Sequence, residues 1–92
     1  MIESWQHNGL KDFFFSGSKK GIMPSHAKRL KIILQRLNAA IQPKDMNTPG
    51  MNFHDLKGNR QNFFAVSVNG NWRVIFAFKD KNAILVDYLD YH

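Results

Sequence analysis

The sequence predicts an α+β fold in which two helices pack on one face of a mostly antiparallel, twisted sheet. Apolar residues recur at three- and four-residue spacing between Pro24 and Pro43, which is the period of an amphipathic helix. From residue 52 onward, short runs rich in aromatic and β-branched residues alternate with turn signals, a pattern typical of strands joined by hairpins. The predicted order is β-α-α-β-β-β-β, within a single domain over residues 1–92.

The N-terminal region predicts one strand and one helix. Residues 2–5 alternate apolar with polar side chains, which predicts a short first strand. Asn8 is the expected N-cap of a helix over about residues 9–16, and Gly17 is its expected C-terminal stop. Residues 16–21 then form a polar connector that contains two lysines.

The second helix has the clearest pattern in the chain. Pro24 and Ser25 provide its start signal, and Pro43 cannot continue a helix. The helix also contains the cations Lys28, Arg29 and Lys31, which suit either a nucleic-acid contact or a solvated surface. Its apolar stripe consists of Ala27, Leu30, Ile33, Leu34, Leu37, Ala40 and Ile41.

Short strands are predicted after an irregular crossing. Residues 44–51 include the turn signal Pro-Gly and predict no regular element. Residues 53–56 predict a short strand, and Gly58-Asn59 predicts a tight reversal. Residues 63–68 predict the next strand because they are aromatic and β-branched.

The C-terminal region predicts a hairpin and a last strand. Asn69-Gly70 predicts a two-residue type I′ turn, which needs positive φ at both central residues. Residues 72–78 are apolar on both faces and predict a central strand, and residues 83–88 predict the last strand after a further turn. With a two-residue loop at Asn69-Gly70, Arg73 would lie opposite Val66.

The composition excludes several classes of protein. The chain has no cysteine, so disulfides, thiolate zinc sites and cysteine nucleophiles are excluded. No apolar run approaches the roughly 18 residues of a membrane span, and the first residues do not resemble a signal peptide. We therefore expect a soluble, cytoplasmic protein with no membrane partner.

The charge indicates an anionic partner. Thirteen lysines and arginines against seven acidic residues give a formal net charge of +6 and a pI near 9.9. RNA, DNA, an anionic membrane or an acidic protein would fit such a domain, although many small basic proteins use lysine only for solubility.

Histidines near two turns suit the cleavage of an RNA phosphodiester without a metal ion. The 2′-hydroxyl must lose a proton and the leaving 5′-oxygen must gain one, and histidine can do both. His54 and His92 are the candidate catalytic histidines, and Asp90 and Tyr91 are candidate partners. Three of them have a structural alternative: His54 as a structural histidine, His92 as a terminal residue without a role, and Tyr91 as a cover for the core.

Cations for the phosphate lie in the same regions. Lys57 and Arg60 flank the turn at Gly58-Asn59, and Arg73 lies inside a strong strand, where a charge needs a reason. Asn71 is placed to bind a base or to form a turn. The four histidines lack the short spacing of metal ligands, so we expect no metal and no cofactor.

Ordered motifs along nearly the whole chain resemble one family. Residues 54–60 (His-Asp-Leu-Lys-Gly-Asn-Arg), 68–73 (Val-Asn-Gly-Asn-Trp-Arg) and 87–92 (Asp-Tyr-Leu-Asp-Tyr-His) are the strongest, and residues 2–10 and 46–50 add to them. Together they resemble the HigB toxins of bacterial type II toxin–antitoxin systems, within the RelE-like superfamily.

The resemblance implies a ribosome-dependent endoribonuclease, an mRNA interferase that cuts messenger RNA in the A site and inhibits translation. It implies acid/base roles for His54 and His92, with Asp90 and Tyr91 in the same catalytic cluster. It also implies that Lys57 and Arg73 bind phosphate and that Asn71 contacts a codon base.

The resemblance also implies partners. A cognate helix-turn-helix antitoxin would restrain the toxin, and the complex would bind operator DNA. A non-catalytic RNA- or ribosome-binding module that uses the same cations is the alternative, although simple binding does not need two histidines. A membrane-surface protein fits poorly, because the second helix is needed to cover the sheet.

Overall fold

The computed structural model describes residues 1–91 and has the predicted α+β architecture. The two α-helices are α1 (Asn8–Ser16) and α2 (Ala27–Ala39). The four strands are β1 (His54–Asp55), β2 (Phe64–Asn69), β3 (Trp72–Lys79) and β4 (Asn82–Asp90). They form an antiparallel sheet in the order β1-β2-β3-β4, so β3 is central as predicted.

Three short 3₁₀ turns connect these elements. Pro24–His26 precedes α2, so the predicted start signal begins a 3₁₀ turn and the α-helix follows it. Pro43–Met46 follows α2, which already ends at Ala39. Gly58–Arg60 forms the third turn, where the sequence had predicted a tight reversal at Gly58-Asn59.

The first predicted strand is replaced by two isolated parallel bridges. Ile2 pairs with Ala83, and Trp5 pairs with Val86. Between the two bridges β4 has an extra residue relative to β3, and Leu85 adopts a φ of 55° there. The hydroxyl of Ser4 accepts a hydrogen bond from the Leu85 amide at 2.8 Å and so satisfies the bulged backbone.

The N-cap of α1 is His7 and not Asn8, so this prediction was wrong. The Nδ1 atom of His7 accepts a hydrogen bond from the Leu10 amide at 2.9 Å, which satisfies one free donor of the first turn. At the other end Gly17 has a φ of 80° and is the predicted stop, because an L side chain is disfavoured in this left-handed conformation.

The hairpin between β2 and β3 differs from the prediction by one residue. Asn69 pairs with Trp72, so the loop is Gly70-Asn71, and Gly70 has a positive φ of 56°. The register also shifts between Ser67 and Asn69. Arg73 consequently lies opposite Ser67, and the predicted partner Val66 pairs with Val74 instead.

This bulge decides which face of the sheet Arg73 occupies. Val66 and Val74 are fully buried in the main core, so a residue paired with Val66 would point toward the helices. Because the bulge pairs Arg73 with Ser67, the side chain of Arg73 lies on the opposite face.

The two faces of the sheet differ in what covers them. One face packs against apolar side chains of α1 and α2, including Leu10, Leu30 and Leu37. The other face has a small cluster formed by Leu56, Ala65 and Ile75, and no helical residue belongs to it among residues 1–91. We call this second face the open face.

Candidate active site on the open face of the sheet

The strand register brings predicted site residues onto the open face. His54 pairs with Ala65, and Ala65 pairs with Ile75, so His54 shares the face of the open-face cluster. Arg73 is two residues from Ile75 and therefore lies on the same face. A candidate base and a candidate phosphate ligand, from two different motifs of the sequence, thus occupy one surface.

A backbone hydrogen bond selects the tautomer of His54. Its Nδ1 atom lies 3.0 Å from the carbonyl oxygen of Asn52. A carbonyl can only accept, so Nδ1 must hold the hydrogen, and Nε2 is the basic nitrogen of the neutral ring. The half-buried imidazole is therefore oriented as a proton acceptor through Nε2.

Asn52 is a positioning residue that the sequence analysis missed. It adopts a φ of 51°, and its Nδ2 atom donates to the Ser67 hydroxyl at 3.0 Å. This conformation directs its carbonyl to His54. Asparagine tolerates the left-handed region better than most residues, which was the one available signal, but asparagine is too common in turns for that signal to be specific.

Arg73 is held by the hairpin that precedes it. Its Nη1 atom donates to the carbonyl oxygens of Gly70 at 2.7 Å and Trp72 at 3.1 Å. Its Nε atom is buried and has no acceptor within residues 1–91. A buried charged donor without an acceptor is unusual in a folded protein.

The ends of β3 and β4 place Asn71 and Tyr91 together. The amide of Tyr91 donates to the carbonyl of Asn71 at 2.8 Å and extends the ladder by one step. Tyr91 is two residues beyond Leu89, the partner of Arg73, so by alternation it lies on the open face. Both residues are exposed beside the arginine.

Three further candidates, Asp90, Lys57 and Arg60, have their positions set by the register and by the β1 edge. Asp90 pairs with Trp72, so the register directs it to the helix side of the sheet, away from Tyr91. Lys57 lines a groove of about 510 Å³ with Asp55 and Phe63 at the β1 edge. Arg60 ends the adjacent 3₁₀ turn and is half-buried. His92 lies outside the described residues.

A buried histidine–tyrosine pair under the site was also missed. The Nδ1 atom of His26 lies 2.7 Å from the hydroxyl of Tyr88, which accepts a hydrogen bond from the Met23 amide at 3.3 Å. Burial raises the pKa of Tyr88, and the bond from Met23 partly opposes this. The Tyr88 ring packs on Trp72 with centroids 4.7 Å apart. A lone histidine at a helix start gave no signal of this pair.

Residues 1–91 contain no group of three histidine, aspartate or glutamate side chains arranged to hold a metal ion. Among the helices of those residues, none is long and apolar enough to cross a membrane.

Comparison with solved structures assigns the fold. A copper-bound mutant toxin from Helicobacter pylori has a TM-score of 0.55 and 20% identity, with 98% of this chain and 94% of that chain covered. A mutant of YafQ from E. coli has a TM-score of 0.50 and 15% identity, with 96% and 91% covered. These likenesses show the fold of the chain, with two helices on one side of the sheet.

Sequence comparison assigns the family. A family model described as "RelE-like toxin of type II toxin-antitoxin system HigB" matches residues 3–92. Endoribonuclease HigB from Proteus vulgaris is 34% identical over 92 residues, which span 100% of both chains. The chain belongs to the HigB-like family of RelE-like toxins.

Proposed function

We propose that this toxin is a ribosome-dependent endoribonuclease that cleaves messenger RNA in the A site and so inhibits translation. Endoribonuclease activity is the function that membership of the HigB-like family supports, since a full-length relative has it in its name. One observation in particular supports the proposal: the bond from His54 Nδ1 to the Asn52 carbonyl leaves Nε2 as a base on the face that also has Arg73.

The proposed reaction is an attack of the RNA 2′-hydroxyl on its own 3′-phosphate. A histidine takes the 2′-hydroxyl proton, the new P–O bond closes a 2′,3′-cyclic phosphate, and the P–O5′ bond breaks. The leaving 5′-oxygen takes a proton from the second histidine and becomes a 5′-hydroxyl. His54 and His92 are proposed for these proton transfers, each positioned acid or base being worth about 10²–10⁴ in rate.

The other site residues have supporting roles in this proposal. Lys57, Arg60 and Arg73 bind phosphate oxygens and stabilise the additional charge of the phosphorane. Asn71 contacts a codon base, and Tyr91 stacks on a base or assists a proton transfer. The position of Asp90 on the helix side suits a role in holding the end of β4 better than a direct contact with the RNA.

The proposed partners follow from the toxin–antitoxin family. A helix-turn-helix antitoxin binds the toxin, and the complex binds operator DNA. The toxin acts in the cytoplasm as one domain over residues 1–92, where the net charge of +6 favours contacts with ribosomal RNA.

Cleavage on programmed ribosomes tests the proposal. A defined messenger RNA, naked and ribosome-bound, is incubated with the protein and with His54→Ala, and the ends are mapped by primer extension. We expect A-site cuts from the wild type and at least a 100-fold loss in His54→Ala with ribosome binding retained. Lys57→Ala should also cleave more slowly than the wild type, whereas the matched exposed control Lys81→Ala should not. The comparison separates a phosphate contact of Lys57 from a general loss of positive charge.

Two results would overturn parts of the proposal. Ribosome binding by the wild type without any cut would leave the non-catalytic binding module as the better explanation. Equal cutting of naked and ribosome-bound RNA would retain the nuclease but remove its dependence on the ribosome.

A further inference from the structure

We propose that the groove between α1 and α2 is the docking site for an acidic, amphipathic segment of the antitoxin. This inference rests on the proposed antitoxin partner and not on the nuclease chemistry. The groove is distinct from the open face, since it lies among the helices that cover the other side of the sheet.

The groove has an apolar floor and a basic rim. Its volume is about 500 Å³. Phe13 and Phe14 of α1 and Leu34 of α2 contribute to the floor, whereas Lys19, Lys28 and Lys31 contribute to the rim. Among residues 1–91, no acidic side chain lines it. A segment with apolar side chains on one face and carboxylates beside them matches both parts.

The path of the chain keeps this groove open. Gly17 ends α1, and the connector then runs back along the helix until Gly21 packs against Gly9. The contact is so close that a Cβ atom on Gly9 would lie 2.7 Å from the Gly21 Cα. The connector is therefore held against the start of α1, and Lys19 remains at the edge of the groove.

An exposed aromatic surface extends the groove toward the end of α1. Phe15 is 67% exposed. Its ring contacts Phe14, with centroids 5.1 Å apart, and Trp5, with centroids 6.1 Å apart. A large exposed aromatic residue next to an apolar groove is typical of an interaction surface and supplies an anchor for a partner.

Neither RNA nor a second copy fits the groove as well. Phe13 and Phe14 pack against the main core, so they are not free platforms on which bases stack. RNA would use the lysines and leave the floor without a partner. A second copy would bring its own lysines to the same rim, and the like charges would repel.

The location of the groove gives the proposal a specific consequence. A partner in the groove lies on the helix side, while His54 and Arg73 lie on the open face. Substitutions in the groove should therefore weaken antitoxin binding without changing the rate of RNA cleavage.

Charge reversal at the rim tests the proposal. Titration calorimetry measures the binding of the purified antitoxin encoded beside this toxin to the wild type and to the double variant K28E/K31E. The control K44E/K81E has the same change in charge, at two exposed sites outside the groove. We expect K28E/K31E to weaken binding roughly 10- to 100-fold and the control to stay within about threefold. Phe15→Ser should also weaken binding, compared with Ile41→Ser at another exposed apolar site.

Ribosome-dependent cleavage by the same variants separates the possible outcomes. Unchanged cleavage with weaker antitoxin binding supports the proposal, and a failure of the wild type to cleave would concern the nuclease alone. Unchanged antitoxin affinity in K28E/K31E, or no binding by the wild type, overturns the docking site. If K28E/K31E lost ribosome binding but kept normal antitoxin affinity, the groove would be an RNA contact. If the wild type formed a concentration-dependent dimer that K28E/K31E did not form, the groove would be an interface between two copies. Either result also overturns the proposal.

Discussion

The Nδ1 atom of His26 lies 2.7 Å from the hydroxyl oxygen of Tyr88, and this contact joins the start of α2 to the last strand. Both side chains are buried, His26 being 2% exposed and Tyr88 3% exposed. The Tyr88 ring packs on Trp72, whose carbonyl accepts a hydrogen bond from Arg73. The pair thus supports, from the helix side, the strand ends that form the candidate site.

Removal of the Tyr88 hydroxyl should destabilise the fold. In Tyr88→Phe the buried Nδ1 of His26 and the Met23 amide lose their partner, and an unsatisfied buried group costs about 1–3 kcal/mol. The free energy of unfolding, measured in urea, should fall by this amount. Tyr91→Phe is the matched control, and its exposed hydroxyl should change stability by less than about 0.5 kcal/mol. Equal stability of wild type and Tyr88→Phe would contradict the importance of this bond.

Alkaline pH should weaken the protein through the same tyrosine. Burial raises the pKa of Tyr88 above its ordinary value of 10.0 in the folded state, so the unfolded chain ionises first. The contribution to stability is fully present below pH 10.0 and is lost as the pH rises through the folded pKa. Unfolding free energies between about pH 8 and pH 11 should therefore fall more steeply for the wild type than for Tyr88→Phe. Parallel curves would show that Tyr88 does not titrate differently on folding.

The contact between Gly9 and Gly21 should not tolerate a methyl group. A Cβ on Gly9 would lie 2.7 Å from both the Cα and the carbonyl oxygen of Gly21, and backbone atoms cannot move aside as a flexible side chain can. Gly9→Ala should cost about 1–3 kcal/mol, although alanine is the better helix former. Chemical unfolding measures the cost, with Lys11→Ala on the exposed surface of α1 as control. A neutral or stabilising effect of Gly9→Ala would mean that the connector is not held against the helix.

The elements with an extended apolar periodicity were predicted correctly from the sequence. The places where one extra residue changes the register of two paired strands were not. The apolar stripe of α2 and the runs of β2, β3 and β4 extend over several periods, so their patterns are robust. The extra residue beside Leu85 and the bulge between Ser67 and Asn69 leave no periodic signal. They arise from the pairing of distant strands, which a local pattern does not contain.

The arrangement of the candidate site residues depends on the strand register and on contacts between distant segments. His54, Arg73, Asn71 and Tyr91 come together on the open face because of the register, which the sequence had placed one residue out at the hairpin. The contact of Asn52 with His54 and that of His26 with Tyr88 depend on backbone conformation and on long-range packing. Neither can be read from residue spacing.

The conformation of Asn52 should determine the activity of His54. Glycine adopts a φ of 51° without strain, so Asn52→Gly retains the carbonyl that accepts from His54 Nδ1. Valine is strongly disfavoured there, so Asn52→Val must move the backbone and release the imidazole. Under the proposed nuclease function, single-turnover cleavage on ribosomes should stay within about threefold of wild type for Asn52→Gly and fall roughly 10- to 100-fold for Asn52→Val. Thermal unfolding and ribosome binding of both variants control for loss of the fold. If a folded Asn52→Val cleaves at the wild-type rate, the hydrogen bond from His54 Nδ1 to the Asn52 carbonyl does not position the histidine for proton transfer.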